Sequence, residues 1–441
     1  MIKRDEKKRK WRWLTVRQKF IIVFTLALCW VVVVSYINLT WIEQLAQYIY
    51  LPLAIIVISI IAIIPSFWFS FALLSFIIDT RPEYGTIDKY PEVSVLIAAY
   101  NEEKLIDQTI ASLVKQKYPG KLEIILADDG SIDRTVEIAK SLNVKNLVIL
   151  EEKHQGKAGM LNTALAAAKY DFIVTIDADT YLLEDSIKNI VEHMLSSLSD
   201  TAAVAGSVCV RNSRETFLTR IQEWNYFNEY ISQKRIQSLL QATLVAQGSF
   251  SIFRKKCIQD VGGWPKCVGE DIVMTWALLE KDYRTAFSER SFAFTCAPVT
   301  YKKLFFQRSR WSQGMLESLA RHWRLLFKRR MSTVFIWWNL LIPVIDLGYG
   351  FIFMPGVILA FFGYYFIAGP MTLSVVPLIL LNNFIFYLRN KKEFAKRNLV
   401  VRRNTLGYLC FLFIYQPLIM VPSAIHGYFA FFIGWKKWGT K

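Results

Sequence analysis

The stretch Phe172-Ile173-Val174-Thr175-Ile176-Asp177-Ala178-Asp179 decides how the middle of this 441-residue chain is read. An unbroken apolar and β-branched run is the pattern of a strand buried on both faces. Two carboxylates follow at i and i+2. Just past a strand end, such a pair can share one divalent cation with the phosphates of a substrate. Taken alone the triplet is also ordinary helix-cap chemistry, so its neighbours carry the argument. Runs 93–98, 123–127 and 147–150 have the same buried-strand character, and amphipathic segments 103–117, 132–142, 158–168 and 183–196 read as helices. That alternation predicts an α/β domain with a mainly parallel sheet covered on both faces. Ligands of such sheets bind beyond the carboxyl ends of the strands.

Working outward, the other strand ends are also polar. Tyr100-Asn101-Glu102 follows the first strand, Asp128-Asp129-Gly130-Ser131 the second, and His154-Gln155-Gly156-Lys157 the third. Carboxylates beside an aromatic ring suit a ribose hydroxyl pair and a base, and Lys157 supplies a cation for phosphate or base. Each motif also reads as turn and N-cap chemistry. Further on, Gly269-Glu270-Asp271 precedes a helix over 272–279. A single carboxylate near a sugar hydroxyl is what a general base requires, although a capping Asp has the same signature. Gln307-Arg308-Ser309-Arg310-Trp311 places two guanidinium groups and an indole within one short segment. Arginine grips diphosphates, and tryptophan is a platform for the apolar face of a sugar. The same residues also suit an amphipathic helix on a membrane surface.

Outside this domain the chain changes character. The net charge is +17, from 53 Lys+Arg and 36 Asp+Glu, which first suggests a nucleic-acid binder. A hydrophobic content of 54%, an aromatic content of 15% and a mean hydropathy of +0.28 argue instead for an integral membrane protein and exclude disorder. The charge is concentrated: segments 1–19, 389–403 and 435–441 carry +7, +6 and +3. All three abut apolar runs, as cytoplasmic flanks of membrane helices do. The run 20–37 lacks charge and a cleavage site, and 51–78 crosses back before a polar segment broken at Arg81-Pro82. After the domain, 334–366, 372–388 and 406–433 read as three crossings, giving about five in all, with a range of four to six. The basic tail prefers the cytoplasm, which asks for an even number after the domain. Asp346, between Pro343 and Gly348, is either a channel-lining intramembrane carboxylate or a group near the water boundary. The six cysteines are scattered and form neither a disulfide framework nor a zinc motif.

The order of these motifs closely resembles the processive family 2 membrane glycosyltransferases, the cellulose, chitin, hyaluronan and poly-N-acetylglucosamine synthases. The resemblance spans residues 90 to 330 and the helices on both sides, and is most specific at Glu270-Asp271 and Gln307–Trp311. It implies a GT-A-type domain at 80–300 inserted between transmembrane helices at 1–79 and 334–441, with interfacial helices at 301–333. It further implies that Tyr100, Glu102, Asp128, Asp129, Lys157 and Asp177 bind a UDP-sugar, and that Asp177 and Asp179 hold Mg²⁺ or Mn²⁺. Asp271 would be the general base. Gln307, Arg308 and Arg310 would hold the diphosphate, while Trp311 and Glu270 meet the growing polysaccharide acceptor. The family's usual Thr-Glu-Asp is Gly269-Glu270-Asp271 here, which loses only a hydroxyl.

The implied function is inverting, processive transfer from UDP-N-acetylglucosamine at the plasma membrane, with the catalytic domain cytoplasmic. The implied partners are the lipid bilayer and a small membrane accessory subunit, with no nucleic acid. Three readings compete with it: a hyaluronan, chitin or cellulose-type synthase, a non-processive enzyme acting on a lipid acceptor, and a transporter whose α/β domain senses nucleotide.

Overall fold

A computed structural model describes residues 14–81, 87–369, 372 and 376–435 of the chain. The basic segments 1–13 and 436–441, the proline of the Arg81-Pro82 breaker and residues 373–375 of the expected span 372–388 lie outside the described residues.

Four expected strands form β1 (Val93–Ala99), β2 (Leu122–Asp128), β3 (Leu147–Glu151) and β4 (Phe172–Asp177). They pair in parallel, β3-β2-β1-β4; β1, β2 and β4 are buried, whereas β3, expected to be buried, lies at the sheet edge and is only partly covered. Beyond β4 the expectation of a mainly parallel sheet is corrected. Four more strands, β5 (Tyr181–Leu182), β6 (Thr201–Val210), β7 (Phe250–Arg254) and β8 (Arg284–Thr295), complete the order β3-β2-β1-β4-β7-β6-β8-β5. β7 runs antiparallel to both β4 and β6, and β5 antiparallel to β8, so the sheet is mixed. The physical reason is the route of the chain. The connection 211–249 is a long helical excursion that returns the chain to the sheet beside β6, where β7 enters between β4 and β6 and runs antiparallel to both.

The helix expected over 103–117 is shorter, Ile106–Val114. The N–H groups of Glu102 and Glu103 donate to Thr135 Oγ1 (2.7 Å) and Asp133 Oδ2 (3.1 Å), which holds this segment in a turn.

Four helices among the described residues are long and apolar enough to cross a membrane: Val16–Ile37, Leu51–Ile78, Thr333–Phe361 and Thr405–Phe432. Four lies within the expected range of four to six. Helix Val376–Ala395 takes the place of the remaining span, but its last turns carry Arg389, Lys391 and Lys392. A buried ionic junction ties the apolar helices to the domain. Asp79, fully buried, accepts from Arg81 Nε at 2.9 Å and Arg235 Nε at 2.7 Å. Arg389 donates to the Phe76 and Asp79 carbonyls, and Lys19 to the Thr80 carbonyl. A buried charge is tolerated only when paired and bonded in this way. Asp346 accepts from Tyr428 Oη at 2.6 Å, a bond that joins two of the apolar helices.

Candidate active site

The carboxyl ends of β1, β2 and β4 form one wall of a cleft. Asp128, 3% exposed, accepts from the Ser131 hydroxyl at 2.5 Å and the Ser131 N–H at 2.9 Å. This Asx turn aims Ser131 back at β1, where its oxygen accepts from the Asn101 N–H at 2.9 Å. Asp129, equally buried, accepts from the N–H groups of Gln155 (2.6 Å) and Gly156 (3.0 Å) and meets His154 Nδ1 at 2.9 Å. Gly156 has φ +82, a conformation natural to glycine, and helix Lys157–Ala167 begins immediately after it. Asp129 therefore fixes the loop that aims Lys157. Tyr100 stands at the mouth of this wall, 5.0 Å from the His154 ring, and Glu102 sits beside it.

At the end of β4, Asp179 Oδ1 accepts from the hydroxyls of Thr180 (3.2 Å) and Thr295 (3.0 Å). Burial, reinforced by the charges of Asp177 and Glu102, pushes the Asp179 carboxyl up to about 6. Crowded carboxylates of this kind are relieved by a cation. Among the described residues no group of three or more His, Cys, Asp and Glu side chains could hold a metal alone. Mg²⁺ and Mn²⁺ are instead commonly bound by one or two carboxylates plus substrate phosphates, and Asp177 with Asp179 fits that donor set.

Lys157 is the centre of the cleft. Its Nζ donates to Asp177 Oδ1 at 2.5 Å and lies 3.7 Å from Glu270 Oε1. Burial alone would lower this ammonium, but Asp177, Glu270 and Asp271 outweigh it and hold it above the ordinary lysine value. A side chain at Gly248 would come within 2.7 Å of Nζ, so glycine leaves the ammonium its room. Glu270 and Asp271 form the first turn of helix Glu270–Glu280. Burial pushes the Glu270 carboxyl up to about 7; Lys157 opposes the shift and Asp271 adds to it.

The opposite wall is helix Tyr301–Arg321. It packs on the Asp271 helix through two glycines. A Cβ on Gly269 would lie 2.7 Å from Gly314 Cα, and one on Gly314 would lie 2.8 Å from Gly269 Cα. The threonine usual at this place in the family could not fit against Gly314, so the departure at 269 has a steric cause. On a helix, residues three and four apart share a face, whereas residues two apart differ by about 200°. Gln307, Arg310, Trp311 and Gly314 therefore line up, while Arg308, three residues before Trp311, flanks the same wall beside that ring and lies about 200° from Arg310. Burial lowers the Arg310 guanidinium, and the charges of Glu270 and Asp271 oppose that. Arg308 is 2% exposed, stacks 3.8 Å from the Trp311 ring, and lies among Tyr226, Tyr230, Tyr415 and Glu229. Among the described residues none of its three guanidinium nitrogens has a hydrogen-bond partner of good geometry, Tyr415 being a close polar neighbour, and Gln307 Oε1 and Arg310 Nε are also unpartnered.

Sequence reading missed the segment 217–239 that completes this wall. Tyr226 and Tyr230 stack at 4.6 Å, and Tyr230 approaches Trp311 at 5.7 Å. Lys234, 7% exposed, donates to the Val245 carbonyl at 3.0 Å, and burial brings its ammonium down to about 7 against the opposing charge of Asp271. The i, i+4 spacing of Tyr226, Tyr230 and Lys234 was the available signal.

Residues 94–262 match the model of glycosyl transferase family 2. Over 282 residues the chain is 30% identical to the poly-β-1,6-N-acetyl-D-glucosamine synthase of Staphylococcus aureus (strain COL), covering 63% of this chain and 68% of that one. The synthase of the same name from Staphylococcus epidermidis is 33% identical over 249 residues, covering 55% and 59%. Among solved structures, the mannosyltransferase PcManGT from Pyrobaculum calidifontis, in complex with GDP-Man and Mn²⁺, aligns over 94% of this chain and 100% of its own. The TM-score is 0.50 at 16% identity, a likeness of fold.

Proposed function

Because the chain belongs to glycosyltransferase family 2, we propose that it is a membrane-embedded inverting β-glycosyltransferase that joins sugar from UDP-N-acetylglucosamine into a polysaccharide and passes the polymer across the bilayer. Its mixed sheet is of the GT-A type. The observation that carries the reading is Lys157, whose ammonium touches Asp177 on one wall and approaches Glu270 on the other. One cation thus joins a nucleotide-binding strand end to an acceptor-side carboxylate. The names of the two staphylococcal relatives support the choice of donor and product.

In this reading Tyr100, Glu102, Asp128 and Asp129 belong to the nucleoside side, Asp128 and Asp129 by shaping the loops. Asp177 and Asp179 hold Mg²⁺ or Mn²⁺, which supplies charge stabilisation to the departing diphosphate. Asp271 accepts the proton of the acceptor hydroxyl. That oxygen bonds to the donor's anomeric carbon from the face opposite UDP, the carbon–oxygen bond to UDP breaks, and the configuration inverts. Lys157 and Arg310 face the negative charge that builds on the leaving group. Trp311 stacks on the terminal acceptor sugar, Glu270 binds its polar edge, and Gln307 and Arg308 stand with Arg310 at the diphosphate end. With two spans before the domain and two after it, the N-terminus, the domain and the basic tail share the cytoplasmic side, where UDP-sugars are made. A small membrane subunit is a compatible partner.

UDP release by the purified protein, one donor at a time with Mg²⁺ or Mn²⁺, tests the proposal. Sustained release is expected with UDP-N-acetylglucosamine alone. Turnover with UDP-glucose alone, or a requirement for a second donor such as UDP-glucuronate, would overturn the assignment of the donor.

A further inference from the structure

Helix Glu270–Glu280 carries Glu270 and Asp271 at its start. Its far end, about 15 Å away at 1.5 Å per residue, opens on a cleft of about 540 Å³ lined by Asp260, Ala277, Glu280, Lys281, Arg324 and Lys328. Each acidic group of this cleft already meets one donor. Asp260 accepts from Tyr283 Oη at 2.5 Å, and Glu280 meets His322 Nδ1 at 2.6 Å. Lys328 is committed to the Glu280 carbonyl at 2.5 Å and to Asp282 at 2.6 Å, and Arg330 also binds Asp282. Lys281 and Arg324 remain, both exposed, with no hydrogen bond or ion pair to any described residue. The cleft therefore presents two cations whose side chains have no partner among the described residues, beside two carboxylates that each already meet a donor.

Its position adds a second observation. Arg324 lies on the short 3₁₀ turn Trp323–Phe327, directly ahead of the apolar helix Thr333–Phe361. Trp323 and Phe327 on that turn are 53% and 69% exposed. Around them stand Arg321, Lys328, Arg329 and Arg330. Trp337, within the apolar helix, donates to the Leu326 carbonyl at 3.1 Å, fixing the turn at the helix's entry. Exposed aromatic rings interleaved with Lys and Arg at the mouth of an apolar helix suit the headgroup layer of an anionic membrane.

We propose that this cleft binds a phosphate group through Lys281 and Arg324, presented by the headgroup of an anionic phospholipid. The site is separate from the donor and acceptor residues and does not depend on the identity of the sugar. Two sources of the phosphate are distinguishable. The full-length protein in detergent is titrated with phosphatidylglycerol or phosphatidylcholine, and bound lipid is counted by native mass spectrometry; inorganic phosphate is titrated separately. The expected result is a phosphatidylglycerol-selective adduct that is lost in the Lys281→Gln/Arg324→Gln double variant and kept in Lys281→Arg/Arg324→Lys. Saturable binding of inorganic phosphate with the same dependence on the variants, without a selective lipid adduct, would assign the site to a soluble phosphate compound. Equal lipid adducts in the wild type and the Gln variant, with no phosphate binding, would overturn the proposal. UDP release serves as the fold control for both variants, because neither residue belongs to the catalytic groups.

Discussion

On the wall built by β1, β2 and β4 the acidic side chains Asp128 and Asp129 are bonded by backbone and hydroxyl donors, whereas on helix Tyr301–Arg321 Arg310 Nε and Gln307 Oε1 lack a hydrogen-bond partner among the described residues and the Arg308 guanidinium is held by stacking on Trp311 and by its nearness to Tyr415 and Glu229. Buried polar groups are ordinarily satisfied, so an exception needs a cause. The first wall is a preorganised frame for a ligand of fixed shape. The second is completed only by what arrives in it, which suits an acceptor that is replaced by a longer one after every transfer. Substitutions on the two walls should therefore fail in different ways.

The largest effect is expected at Asp271, where the walls meet. Asp271→Asn keeps shape and removes the base, so sugar transfer should fall by about 10²–10⁴-fold while the donor KM holds. A changed donor KM with an intact kcat would place Asp271 on the first wall and break the comparison. Next comes a matched pair. Asp129→Ala strands the Gln155 and Gly156 N–H groups and should cost about 1–3 kcal/mol of stability. Arg308→Met removes a buried charge held by stacking and nearby phenols rather than by a saturated set of hydrogen bonds, so its thermal midpoint should match or exceed the wild type while transfer drops by about tenfold or more, the worth of one charge-assisted hydrogen bond. Destabilisation by both substitutions would remove the distinction between frame and ligand-completed wall.

A smaller effect is expected where the walls touch. Gly269→Thr restores the residue usual in the family but drives a side chain into Gly314, and overpacking of this kind costs about 1–3 kcal/mol. Unfolding midpoints would measure it, and a neutral result would mean that the helices are not held together by this contact. The smallest effect is a pH dependence. The Glu270 carboxyl is raised to about 7, so between about 4.5 and 7 the folded state holds a proton that the unfolded chain releases. Stability from this group is complete below about 4.5 and is lost as pH rises to about 7. Glu270→Gln escapes that loss, so thermal melts should show the variant gaining on the wild type from about pH 4.5 to 7 and levelling above.

The first wall was largely legible in the sequence. Strands buried on both faces read as unbroken apolar runs, and β1, β2 and β4 lie where those runs predicted, within a residue or two, while β3 has the same apolar run at the sheet edge. Their ends were misjudged because Asp128 and Asp177 still belong to the ladders. β6 and β8 were not legible. β6 is rich in small residues, β8 carries Glu289 and Arg290 in mid-strand, and a register irregularity between Gly206 and Ser207 breaks their alternation. The second wall was legible as a motif but not as geometry. Gln307–Trp311 is contiguous in the chain, yet the helix turns Arg308 away from Arg310. The contact of Gly269 with Gly314 joins residues distant in sequence, which no local pattern reports.

The central claim is that the second wall serves a growing chain. Radiolabelled UDP-N-acetylglucosamine, supplied to the protein in membranes with Mg²⁺, measures it through the size distribution of the product. The account predicts long polymer even when most enzyme has not yet turned over, with Arg308→Met shifting the product toward short chains. A product confined to one or a few sugars on a lipid, unchanged by Arg308→Met, would contradict it.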